Sequence, residues 1–191
     1  MLVVHATKKL RDRLRGAPPA TSETSTGLLG SWYATALFWR PQVAMFVNET
    51  TLLPVLVPLA PASTLIDRFP PALGEILTAQ GAGTDLVAAE LAEMDEWRLA
   101  KTANRSVVGI MNEFTYLGEV FSQGAQPDLR ALSIRLATVP CGPLYKSQGS
   151  PGRELRPCSQ VSGPGTSGAL RRARNNPWDD VASPDAAESG R

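Results

Sequence analysis

Histidine occurs once in these 191 residues, at His5, and cysteine twice, at Cys141 and Cys158. A single histidine excludes a two-histidine metal site within one chain, and any Ser-His-Asp or Cys-His arrangement would have to recruit His5. That residue lies in the short apolar segment Leu2 to Ala6, where a histidine bonded to its neighbours is expected rather than a catalytic base. Two cysteines, the second set among Gly, Pro and Ser, make neither a zinc ligand set nor a disulfide framework, and they read as reduced cytosolic thiols. No metal and no cofactor is implied.

Surplus charge is also missing. Lys and Arg number 19 against 18 Asp and Glu, so the overall field does not mark a nucleic-acid binder, and any anion site must be a local cluster. Long apolar runs are absent too: the most apolar stretch, Leu52 to Pro61, is half the length of a membrane-spanning helix and contains Pro54, Pro58 and Pro61. Met1 to Thr7 is too short for a signal-peptide core and is followed, not preceded, by Lys8 and Lys9. A soluble, cytoplasmic protein without a membrane segment is expected. Gly27 and Gly30 lack the spacing, the lysine and the following helix of a phosphate-binding loop. Glu49, Asp67 and Glu113 carry no spacing signature of paired catalytic carboxylates and read as solvated surface.

What is present predicts one α+β domain over residues 1–146 and a disordered tail over 147–191. Leu2 to Ala6 reads as a strand entering, through Thr7 as cap, a short basic helix with Leu10 and Leu14 on one side. Gly16 to Gly27 reads as a mobile loop. Trp32 to Leu59 carries alternating apolar, aromatic and β-branched residues in three strands, turned at Arg40-Pro41 and at Asn48 to Thr51. The expected sheet is small and antiparallel, the first strand plus this meander, packed with helices. Pro54 and Pro58 sit four apart, so both missing donors fall on one side, and Leu52 to Leu59 becomes an edge strand. Large residues on both faces of the first meander strand predict helices on one face and a helix, the tail or a second subunit on the other, which is compatible with a homodimer.

Further on, Ser63 or Thr64 is expected to cap one short helix, Pro71 to begin another, and Gly81 to end it. Thr84 is expected to cap a helix with Val87, Leu91, Met94 and Arg98 aligned and with Glu90, Glu93 and Glu96 solvated. Val107, Ile110, Met111, Phe114, Leu117 and Phe121 repeat as the core stripe of a helix, and Asp128 caps a last one with Leu129, Leu132 and Leu136. Beyond Lys146 the Gly, Pro, Ser and charged composition cannot bury enough surface to offset ordering entropy. Trp178, within Asn-Asn-Pro-Trp-Asp-Asp-Val, is the exception, a candidate docking element of that tail.

The most informative segment is Lys101-Thr102-Ala103-Asn104-Arg105-Ser106, which places fixed positive charge at the start of the Val107 to Phe121 helix. Helix starts favour anions. The expected site uses unpaired N–H groups of Val107, Val108 and Gly109, Ser106 as cap, Arg105 as a fork and Lys101 nearby. A structural role competes with it: Arg105 bridging to a glutamate of the preceding helix, with Asn104 making the turn.

The chain resembles a family of small, uncharacterised bacterial domains through Thr7-Lys8-Lys9-Leu10, Trp32, Val47-Asn48, Lys101-Thr102, Arg105-Ser106 and Met111-Asn112. The resemblance covers roughly Met1 to Lys146. Some members look joined to a transposon-passenger-like module, which implies mobile DNA by association alone, and the family brings no catalytic residue to this chain.

Two functions follow as expectations. One is a non-enzymatic binding module whose Arg105 region recognises a phosphate-bearing ligand or nucleic acid. Its contacts would be to the backbone, because Val107-Val108-Gly109 offers few base-reading groups. The other is a small hydrolase or transferase using Lys101, Arg105, Asn48 and Asn112 around an anionic substrate. Convergence of Asn48, Arg105 and Asn112 in one concavity favours the enzyme, and a flat basic face favours binding.

Overall fold

A computed structural model describes residues 1–14, 25–122 and 128–140. Five strands are found there, β1 (Leu2–Ala6), β2 (Trp32–Leu37), β3 (Val43–Asn48), β4 (Pro54–Pro58) and β5 (Trp97–Lys101), with helices α1 (Lys8–Arg11), α2 (Leu65–Ala79), α3 (Thr84–Ala92), α4 (Arg105–Ser122) and α5 (Leu129–Ala137). The strands make one sheet in the order β4-β3-β2-β1-β5. The α+β class is the one expected, but the sheet is mixed. The β2-β3-β4 meander is antiparallel, whereas β1 runs parallel to both its neighbours.

The fifth strand corrects the sequence reading. Arg98 was expected at the end of a helix beginning at Thr84, but α3 stops at Ala92 and the following residues pair with β1 from Leu2↔Trp97 to Ala6↔Lys101. The unpaired edge of β1 supplies ladder partners that outweigh a continued helical spacing. Glu90 is corrected too. It is 1% exposed rather than solvated, and its Oε2 accepts from Leu29 N at 3.0 Å. Burial pushes its carboxyl above the ordinary range, with the amides of Leu29 and Leu28 opposing. The loop passes so close that a Cβ on Gly27 would lie 2.8 Å from Glu90 Oε1.

The edge strand behaves as its prolines dictate. On the paired side Asn48 N donates to Leu53 O and Leu59 N donates to Gln42 O. On the outer side Pro54 and Pro58 have no N–H, and the one donor between them, Leu56 N, is taken by Ser133 Oγ at 2.9 Å. No further strand can add there, which removes a common route to aggregation.

Helices cover both faces. On one, Phe69 of α2 stacks on Phe46 at 4.2 Å and meets Trp32 edge-on at 5.0 Å; such ring pairs add about 0.5–1.5 kcal/mol each beyond burial. On the other, Val107, Ile110, Met111 and Phe114 of α4 and Leu132 and Leu136 of α5 pack on Tyr33, Met45 and Leu56. The second face is thus covered by this chain's own helices.

One helix, α2, spans the region read as two. Pro70 and Pro71 lie inside it, and a single 3-10 turn, Ala62–Thr64, precedes it. Leu65, Ile66 and Phe69 before the prolines and Leu73, Ile76 and Leu77 after them are all buried. Their shared face on the sheet holds the helix continuous despite two missing donors. Gly81, at φ 84°, ends it as expected, with Ala82 N donating to Leu77 O. Asp128 caps α5 through Arg130 N and Ala131 N. The expected tail, Trp178, both cysteines and most of the Gly16 to Gly27 loop lie outside the described residues.

Candidate functional site

The start of α4 is built by three strands and a turn. Asn104, not Ser106, caps it: Asn104 Oδ1 accepts from Ser106 N at 3.0 Å and Val107 N at 3.4 Å, and its carbonyl accepts from Val108 N. The N–H groups of Val107 and Val108 expected to face an anion are therefore satisfied within the chain. Asn104 is itself held. Its backbone N donates to Tyr33 Oη at 3.0 Å, its side-chain amide donates to Glu49 Oε1 at 3.2 Å, and Tyr33 Oη donates to the same carboxylate at 3.3 Å. Burial, ahead of the Glu49 charge, raises the Tyr33 phenol above its ordinary value, against the Asn104 amide.

His5 completes this knot. Its ring stacks on Tyr33 at 4.8 Å, 16° from parallel, and Nδ1–H donates to the Lys101 carbonyl at 2.9 Å. The lone histidine thus ties the end of β5 to β1. Sequence reading missed Tyr33 altogether and left Glu49 as solvated surface, since their bonds to Asn104 cross 71 and 55 residues. An Asn three residues before the first apolar helical position, Val107, was the one local signal of the cap.

The five residues singled out in the sequence fall in three places. Lys101, Arg105 and Ser106 are exposed around the start of α4. Arg105 has no ion pair with any described acid, so the bridge to the preceding helix is not formed among the described residues. Asn48 is fully buried. Its amide donates to Leu29 O at 2.8 Å and Ser31 O at 3.4 Å, and its Oδ1 accepts from Thr50 N, Thr51 N and Thr51 Oγ1. It organises the turn that presents Glu49 to Asn104, and it faces no solvent.

Asn112 lies two turns along α4, in a cleft of about 220 Å³ with Lys9, Thr35, Phe38, Trp39 and Glu119. The cleft lies where β1 ends at Ala6, opposite Ala34, and the rest of β2 has no strand neighbour on that side among the described residues. From there α1 turns to one face, burying Leu10, while α4 occupies the other. A crevice beyond the carboxyl end of a parallel strand, between helices on opposite faces, is where open α/β sheets bind ligands. Among the described residues no grouping of three His, Cys, Asp or Glu could hold a metal, and no helix is long and apolar enough to cross a membrane.

Residues 3–154 match the profile of DUF6933, a domain of unknown function. The chain belongs to the DUF6933 family. The match takes in every strand and helix described above except Leu2, the first residue of β1, and runs past Lys146. No curated protein and no solved structure matches the chain. DUF6933 membership therefore names a family and leaves the chemistry to be read from the site.

Proposed function

We propose that this DUF6933 chain is a non-enzymatic binding module that holds a phosphate-bearing partner through Arg105 and Lys101. The observation that carries the reading is the state of Arg105, exposed and without an acidic partner among the described residues, while Asn104 performs the capping. A guanidinium with no acidic partner among the described residues, four residues from a second exposed cation, suits the bidentate geometry of phosphate. Binding is favoured over catalysis because Asn48, Arg105 and Asn112 do not share a concavity: one is buried in a turn, one exposed, and one lies in a separate cleft. With a formal net charge of +1, contacts to a nucleic-acid backbone would be few and indifferent to base sequence. A connection to mobile DNA rests on the family resemblance alone.

The test compares wild type, Arg105→Ala and Lys101→Ala by anisotropy with a labelled oligonucleotide and by thermal shift with inorganic phosphate and phosphorylated metabolites. Each substitution is expected to weaken binding several-fold and to lower the salt slope by about 1, with melting unchanged to within about 2 °C. A large fall in melting temperature with unaltered binding, or binding indifferent to salt, refutes the reading.

A further inference from the structure

The cleft beyond β1 holds opposite charges that do not meet. Lys9 contributes an ammonium at one wall and Glu119 a carboxylate at another, yet no ion pair joins them. Lys9 Nζ lies 5.7 Å from the centroid of the exposed Phe38 ring, which Arg13 Cζ approaches at the same distance. One oxygen of Glu119 accepts from Trp39 Nε1 at 3.1 Å, which steadies both side chains and leaves Oε2 without a partner among the described residues. The indole is also fixed from behind: a Cβ on Gly118 would lie 2.5 Å from Trp39 Cη2, so the ring fills the space that any other residue would take. Thr35 and Thr115 hydroxyls already bond Thr7 Oγ1 and the Met111 carbonyl, whereas the Asn112 amide has no intramolecular partner among the described residues.

Among the described residues, the groups without a hydrogen-bond or ion-pair partner are thus the Lys9 ammonium, the Asn112 amide and one Glu119 oxygen, beside the aromatic wall of Trp39 and Phe38. Asn112 and Glu119 are seven residues apart on α4, about 10 Å along its axis, so the ligand must be elongated. A small anion would satisfy Lys9 and leave Glu119 repelling it, and a small cation would have the reverse fault. We propose that this cleft binds a small elongated zwitterion, with its anionic end at Lys9 and Asn112, its cationic end at Glu119 and its methylene chain along Trp39 and Phe38. The volume, about 220 Å³, suits a molecule of amino-acid size. This site is separate from Arg105 and stands whether or not that residue binds phosphate.

The probe is 6-aminohexanoate, which carries carboxylate and ammonium at opposite ends of a five-methylene chain, with hexanoate and hexylamine as its halves. Titrations into the full ¹⁵N-labelled chain read the Trp39 indole N–H and the Asn112 side-chain amide. The zwitterion is expected to shift both saturably while neither half does so at equal concentration. Lys9→Ala and Glu119→Gln should each weaken it about tenfold, the size of one lost charge-assisted hydrogen bond. Both variants should keep the wild-type far-UV circular dichroism, since both side chains are exposed and glutamine still accepts from the indole. No response to any probe, an equal response to either half, or undiminished binding in either variant overturns the proposal.

Discussion

Replacing Asn48 by alanine removes five hydrogen bonds from one fully buried side chain. The amides of Thr50 and Thr51 lose their acceptor, and the carbonyls of Leu29 and Ser31 lose a donor. A buried polar group left unpaired costs about 1–3 kcal/mol. Thr50 is exposed and Thr51, Leu29 and Ser31 are half-buried, so water recovers part of this, and a net loss of about 3 kcal/mol is expected. The same turn holds Leu52 at φ 56°, a left-handed conformation that a leucine adopts only when its surroundings impose it. Without Asn48 that strain has less to oppose it. Against a total stability of about 5–15 kcal/mol, the variant should unfold at markedly lower urea and melt roughly 10 °C lower. Asn48→Asp is the sharper control: it keeps the acceptor but turns an oxygen toward Leu29 O, and it should be about as damaging. Phosphate binding should fall in both variants, because Glu49 and through it Asn104 lose their support, in contrast to Arg105→Ala, which leaves stability alone. A loss below about 1 kcal/mol in urea titrations would show that water replaces the side chain and that Asn48 does not organise the turn.

Ser133→Ala should cost about 1–2 kcal/mol by leaving Leu56 N bare on the buried edge of β4; a change in urea midpoint too small to measure would mean that another acceptor takes its place. Glu90 bears on pH dependence. Its carboxyl is raised above 4.5 in the fold, so between 4.5 and that higher value the folded protein binds more protons than the unfolded chain, and stability falls as pH rises through this window. Glu90→Gln should remove that fall, so that the variant gains on wild type as pH rises from 4.5. Parallel pH profiles for the two proteins in urea unfolding would show that the carboxylate is not desolvated.

Features carried by a few adjacent residues were legible in the sequence. Pro54 and Pro58 marked the edge strand because a proline lacks its donor wherever it is placed. Gly81 and Asp128 marked helix ends because their effect is exerted within one turn, and the α4 stripe marked a core face because its spacing is that of the helix itself. The charges of Lys101 and Arg105 were equally plain, but whether Arg105 was paired was not, since that depends on which acids other segments bring near it. The rest was decided by contacts between distant segments. Arg98 continued the helical spacing of Val87, Leu91 and Met94, and Trp97 to Lys101 became β5 only because β1 offered an open edge. Glu90 looked like one of three solvated acids until the loop at Gly27 to Leu29, more than sixty residues earlier, closed over it. The cleft at Lys9 and Asn112 owes its existence to the register at which β1 stops against β2. Hydrogen bonds and burial reward groups that meet in space, and no local pattern records which groups will meet.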